Sequence, residues 1–222
     1  MIWLSRPRWL TQRLTVDFLM VVFLIYATSS RAYGGNFHEW AGVACLACVA
    51  IHVWLNRNFF RSLVSGTWSF RRSLNTAIIA VIILNGSLFL LTGLMMSKEV
   101  LAFLSLKGSM TLRNAHATLA YWALPLIGIH LGTQWRRVAR TGPKGPGRTR
   151  VWFLKITILI GMVIFGIRSF LGREMPQKLF LGRSFDYWDP DKPAFFLCLS
   201  YVSIIILFTI LAYFLDRLWR KQ

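Results

Sequence analysis

Six apolar stretches of this chain read as membrane-crossing helices, a hydrocarbon core of about 30 Å taking about 20 helical residues. They run roughly from Thr15 to Ser29, His38 to Asn56, Ser73 to Met95, Asn114 to Gln134, Val151 to Phe170 and Pro193 to Leu215. Lipid offers backbone amides no water, so a segment inside it must satisfy its own N–H and C=O groups, and a lone apolar segment does so as a helix. The connections are short, and 55% of the 222 residues are hydrophobic, above the share usual for a soluble domain. The expected fold is all-α: an integral membrane helical bundle of six transmembrane helices, forming a single domain over residues 1–222. The first apolar run lacks a small-residue cleavage pattern and reads as a retained helix.

Charge orients the bundle. Lys and Arg number 26 against 8 Asp and Glu, a net +18. The basic residues fall in blocks: Arg6, Arg8 and Arg13; Arg57, Arg61, Arg71 and Arg72; Arg136 through Arg150; and Arg217, Arg220 and Lys221 at the end. These alternate with connections holding most of the acids, Glu39, Glu99, Glu174, Asp186, Asp189 and Asp191. That alternation is membrane topology, basic side cytoplasmic, and not a nucleic-acid surface. Some of the charge also suits anionic lipid. Both termini are then cytoplasmic, and the second and fourth helices both run from outside to inside.

The four histidines fall into two pairs of one spacing, His38 with His52 and His116 with His130, each fourteen residues apart. Fourteen residues is close to four helical turns, so each pair shares a helix face at levels ~21 Å apart. Because the two helices are parallel, His38 and His116 meet near the outer surface, and His52 and His130 near the inner one. A histidine inside a membrane is costly without a partner and is a functional candidate. Neutral imidazole is a common metal ligand. Haem iron takes axial ligands from both sides of its plane, and facing helices can supply them. The expectation is a four-helix core, about 15–135, that clamps two non-covalent b-type haems, with two additional helices over about 151–215.

The rival readings are weaker. Zinc would be short of ligands at two histidines per level. A proton relay needs no duplicated spacing. Cys45 and Cys48 form a CxxC with no following histidine and read as small packing residues. Gly42, Gly86, Gly93 and Gly128 lie where small residues let a flat porphyrin approach the backbone, and equally where helices pack closely. Arg31 and Arg113 outside, and Arg57 and Arg136 inside, are candidates for haem propionates as well as topology signals.

The stretch His38-Glu39-Trp40-Ala41-Gly42 through His52 to Asn56-Arg57 resembles the flavinylation-associated cytochrome family. So do His116 to His130 with Tyr121 and Trp122, and Phe185-Asp186-Tyr187-Trp188-Asp189-Pro190 before the last apolar run. The resemblance implies a dihaem membrane cytochrome, its haem ligands at His38, His52, His116 and His130. It also implies exchange of electrons with an extracytoplasmic flavoprotein carrying covalently bound FMN. The spacing is similar, too, to cytochrome b of the respiratory bc complex, without that protein's length. Ferric-reductase-like membrane domains also use paired histidines. No Rossmann-type glycine fingerprint is present, so donor and acceptor are external or small molecules.

The function expected from the sequence is transmembrane electron transfer within a membrane redox complex of the bacterial inner (cytoplasmic) membrane. The alternative is a quinol-oxidising or quinone-reducing cytochrome b subunit, with a quinone pocket to which Asp17 and Asn75 could contribute. A third is a structural or assembly protein without haem. The connection from Leu171 to Lys192 is expected either to lid the outer helix ends or to dock a partner.

Overall fold

The computed structural model describes residues 8–29, 35–65, 67–100, 102–104, 109–140, 148–180, 189, 191 and 193–219. Among them every regular element is a helix: α1 (Arg8–Thr28), α2 (Gly35–Leu55), α3 (Asn58–Leu63), α4 (Phe70–Met96), a 3-10 turn (Ala102–Leu104), α5 (Met110–Arg140), α6 (Arg148–Gly172), α7 (Met175–Phe180) and α8 (Ala194–Trp219). The six long helices follow the six apolar runs, extended by a few residues at most ends.

Among the described residues, four of them are long and apolar enough to cross a membrane: Trp9–Thr28, Phe37–Leu55, Phe70–Met96 and Ala194–Trp219. The described side chains of α6 add an apolar stretch over Ile156–Gly172. In α5, His116, His130 and Pro125 dilute the apolar content. The chain is thus a helical bundle with the composition of a multi-pass membrane protein.

The helix ends are closed by local polar groups. Ser69 begins α4 and its hydroxyl accepts from the Arg72 amide at 3.3 Å. Ser109 does the same for α5 through the Leu112 amide at 3.2 Å. At the end of α2, Asn56 Nδ2 donates to the His52 carbonyl at 2.8 Å and Arg13 donates to the Leu55 carbonyl at 2.6 Å. These are the orphan acceptors that a helix C-terminus leaves, and a cation there also suits the helix dipole.

Packing joins two helical hairpins to a third layer. The close pairs are α1 with α2, α4 with α5, α5 with α8 and α6 with α8. The buried core lies where α1, α5, α7 and α8 meet, around Ile25, Tyr121, Leu124, Met175, Leu197, Tyr201 and Ile204. Helix α8 runs parallel to α5: Gly128 lies against Ile205 and Phe208, and Gly132 one turn further lies against Thr209 and Ala212. Gly128 and Gly132 form the small-residue i, i+4 pair that lets membrane helices approach backbone to backbone. Gly166 of α6 meets the Ser203 carbonyl from the other side of α8 in the same way.

At the basic end, Arg71 of α4 pairs with Asp216 of α8 at 3.3 Å, and Phe70 meets Trp219. This contact joins the start of α4 to the end of α8, as the alternation of basic blocks requires. At the opposite end, α7 occupies the first part of the 171–192 connection. Met175, Lys178 and Leu179 are buried, and Trp122 of α5 donates to the Leu179 carbonyl at 3.1 Å. That half of the connection is a lid on the helix ends. Phe185, Tyr187 and Trp188 lie outside the described residues.

Candidate dihistidine centres

The α1–α2 and α4–α5 hairpins bring His38 and His116 together, while His52 has Asp17 as its side-chain partner. His38 of α2 and His116 of α5 have ring centroids 5.9 Å apart, with planes at 80°. Two imidazoles bound to opposite sides of one metal, at about 2.0 Å per metal–nitrogen bond, hold their ring centres roughly 6 Å apart. The outer pair therefore meets at the spacing that shared axial ligation requires. Yet α2 and α5 are not among the closely packed helix pairs. The rings reach each other across a gap between the hairpins.

Three of the four rings, His38, His52 and His116, are held by the nitrogen that a metal would not use. His38 Nδ1 lies 2.9 Å from the Ala27 carbonyl. A carbonyl can only accept, so Nδ1 carries the proton and Nε2 is left as the ligating nitrogen. His52 Nδ1 lies 2.6 Å from Asp17 Oδ1, which fixes the same tautomer. His116 Nδ1 lies 3.1 Å from Thr92 Oγ1. The Thr92 hydroxyl is within 2.9 Å of the Leu88 and Phe89 carbonyls, so its own proton goes there and it accepts from the imidazole. Metal-bound histidines are oriented in this manner, by a carbonyl, hydroxyl or carboxylate on the distal nitrogen.

Sterics hold His116 further. Phe89 stacks on it at 4.5 Å between centroids and 18° between planes. Gly93 gives it room: a Cβ at that position would stand 3.1 Å from His116 Cε1. Gly86 lies seven residues earlier on the same face of α4, and a Cβ there would meet nothing within 4 Å. The same is true of Gly42, one turn beyond His38. Gly93 thus adjoins a histidine directly, whereas Gly42 and Gly86 are exposed and face open space.

Gly128 belongs elsewhere. A Cβ on it would lie 2.6 Å from the Ile205 carbonyl, so this glycine serves the packing of α8 and is not turned toward the histidines. That contact also orients His130. It sits two residues from both Gly128 and Gly132, roughly 200° around the helix from each, on the face turned away from α8. His116, fourteen residues earlier, shares that face.

The arginines separate by position. Arg57 is occupied by Trp54, donating to its carbonyl at 3.2 Å and lying 4.7 Å over its ring. Arg113 is exposed at the start of α5. Arg31 and the side chain of Arg136 lie outside the described residues.

Three residues carry roles beyond those the sequence suggested. Asp17 anchors His52, and Thr92 anchors His116. Glu39, next to His38, gathers the turn after α4. Its carboxylate accepts from Ser97 Oγ at 2.9 Å and from the amides of Lys98, Glu99 and Val100 at 2.8, 3.0 and 3.1 Å. Successive amides around one carboxylate make an anion-binding nest, which here ties α2 to α4 above the outer pair. Hydrogen bonds to a charged group contribute about 1.5–3 kcal/mol each in favourable settings. Glu39→Ala is expected to release this turn. Amide exchange at residues 98–100 should accelerate by an order of magnitude or more, while α8 stays protected.

The cysteines behave as packing residues: Cys45 leans on the Met20 carbonyl at 3.7 Å and Cys48 is buried. Among the described residues, no three His, Cys, Asp or Glu side chains converge as a closed metal site would require. The donor set that does converge is a pair of imidazoles, which suits a planar macrocycle that supplies its own equatorial nitrogens.

Compared with protein-family models, curated proteins and solved structures, the chain matches none.

Proposed function

We propose that this protein carries electrons across a membrane through two bis-histidine b-type haems, one near each surface. The observation that carries the proposal is the outer pair, His38 and His116, meeting at 5.9 Å across the gap between two hairpins. The duplicated spacing extends it to an inner pair, His52 and His130. In this reading α5 and α6 also cross the bilayer, making six spans with both termini cytoplasmic. The host membrane is then the bacterial inner membrane.

Bound haem supplies one-electron iron chemistry in a site of low dielectric. The residues of the chain bind and orient it. The four imidazoles offer Nε2, while Ala27, Asp17 and Thr92 hold three of the rings in that tautomer. Gly93 leaves backbone close to the His116 ring. The Glu39 nest closes the outer end. The resemblance to flavinylation-associated cytochromes supports an extracytoplasmic flavoprotein with covalently bound FMN as the outer partner, within a membrane redox complex.

Vesicles containing the haem-loaded protein and an enclosed ferricyanide pool test this. A membrane-impermeant reductant outside should bleach the pool, and protein-free vesicles should not. Folded, haem-loaded protein that passes no electrons would overturn the transport role.

A second reading, quinone chemistry, is favoured by an apolar groove between α1 and α2 lined by Tyr26, Phe37, Trp40, Ala41 and Ala44. It lies beside His38, within reach of a hydrophobic ring. Haem reduction by a quinol in proteoliposomes supports that reading, and quinol inertness rejects it.

A further inference from the structure

The proton-bearing nitrogens of the histidines are held by unequal partners, and this inequality has a redox meaning. On the outer level the partners are neutral: the Ala27 carbonyl for His38 and the Thr92 hydroxyl for His116. On the inner level His52 is held by a carboxylate, Asp17, at 2.6 Å. A carboxylate accepting the distal N–H makes the ligating nitrogen more basic than a neutral acceptor does. It also places a negative charge against the ligand, partly screened because the Asp17 side chain is 41% exposed. Both effects favour the oxidised, more positive state of a ligated metal over the reduced one.

Charges stand near both levels, so the difference rests on the direct hydrogen bond to the ligand. Arg13, one turn before Asp17, directs its guanidinium to the Leu55 carbonyl at 2.6 Å. Among the described residues, the ion-pair partner of Asp17 is His52. On the outer level an acid does stand next to a histidine, but the Glu39 carboxylate accepts from the Ser97 hydroxyl and three backbone amides of the turn after α4. Its hydrogen bonds go to those four donors and not to a histidine ring, whereas Asp17 accepts from the His52 ring itself.

We infer that Asp17 is a positioning and tuning residue that holds the inner centre at a lower reduction potential than the outer one. The inference rests on the dihaem reading above. With haem held by these histidines, each centre would supply a one-electron couple, so that an electron would enter at the inner level and leave from the outer level. The order of potentials makes the inside-to-outside direction downhill. A one-electron reductant on the basic, cytoplasmic side is then the donor class, and a flavin on the outer side the acceptor class.

Potentiometric titration of the purified haem-loaded protein tests this without reference to turnover. The native protein should titrate in two waves, and His52→Ala should lose the lower one. Asp17→Asn, which removes the charge but keeps the shape, should raise the lower wave by at least a tenfold change in its reduction equilibrium, about 59 mV for one electron, and leave the upper wave in place. Loss of the upper wave in His52→Ala would overturn the inference, and that holds even where Asp17→Asn binds haem poorly. An unmoved lower wave in a fully loaded Asp17→Asn would overturn it as well. Absence of haem from the native protein would instead defeat the dihaem reading, a different and recognisable failure.

Discussion

Replacing His52 with alanine is expected to take the haem content from two per chain to one and to leave the outer centre spectrally intact. His52 and His38 lie fourteen residues apart on α2, ~21 Å along the axis, so the two levels share no ligand. The outer level keeps its own anchors: Ala27 on His38, and Thr92 and Phe89 on His116. The substitution also deprives Asp17 of its 2.6 Å partner. A carboxylate left near the hydrocarbon edge without its partner is destabilising. His52→Ala combined with Asp17→Asn should therefore fold better than His52→Ala alone, with the same single haem. Haem content by pyridine haemochrome and reduced-minus-oxidised spectra decide it. Loss of both haems in a variant with native helical content would mean that the levels are not independent. His116→Ala should give the complementary result, removing the outer centre.

The second large effect is expected from the contact between α5 and α8. A side chain at Gly132 would run into the Thr209 carbonyl and the Ala212 side chain, and one at Gly128 into Ile205 and Phe208. The obstacle in both cases includes backbone, which cannot rotate aside. Overpacking of this kind costs typically 1–3 kcal/mol and occasionally more, and Gly132→Leu should lie at the upper end because α8 must separate from α5 along its length. The expected result is a drop in thermal midpoint in detergent, with loss of haem from both levels, since α5 carries a ligand to each. Gly161→Ala is the matched control. Nothing stands within 4 Å of the position its Cβ would take, and Ala favours helix over Gly by about 1 kcal/mol, so that variant should be as stable as the parent or slightly more so. Equal loss of stability in both would reject the packing role.

These two effects differ in how far they could be read from the chain itself. The pairing of His38 with His116 was legible, because spacing gives the shared helix face and the basic blocks give the helix directions. Of the small-residue pair, Gly132 was not singled out from the sequence and Gly128 was. Its ambiguity is physical: close approach to a porphyrin and close approach to a helix select the same residue. Only the position of α8 decides between them. Asp17 carried a signal of its own, an acid inside an apolar run, which is costly without a partner. Naming His52 as that partner required the register of α1 against α2. The role of Glu39 was not legible at all, because three of its four donors are backbone amides of a turn, which have no sequence signature. Short α7 escaped for a related reason: six residues, Met175 to Phe180, are too few for periodicity to register.

The helix count shows the same limit. Membrane spans are read from apolar content, and α5 gives up some of it to the two histidines, Pro125 and the pair Tyr121 and Trp122. Two of the features that lower its apolar average, His116 and His130, are those the dihaem reading assigns to function, so a helix central to the proposed site is weakly marked as a span.

The most direct measurement is the haem stoichiometry and reduced-minus-oxidised spectrum of the purified, folded protein. The expected result is two non-covalent b-type haems per chain, low-spin, with histidine on both sides of each iron. A folded and monodisperse preparation, expressed with ample haem, that shows no haem absorbance would contradict the central claim, as would haem ligated by anything other than these four histidines.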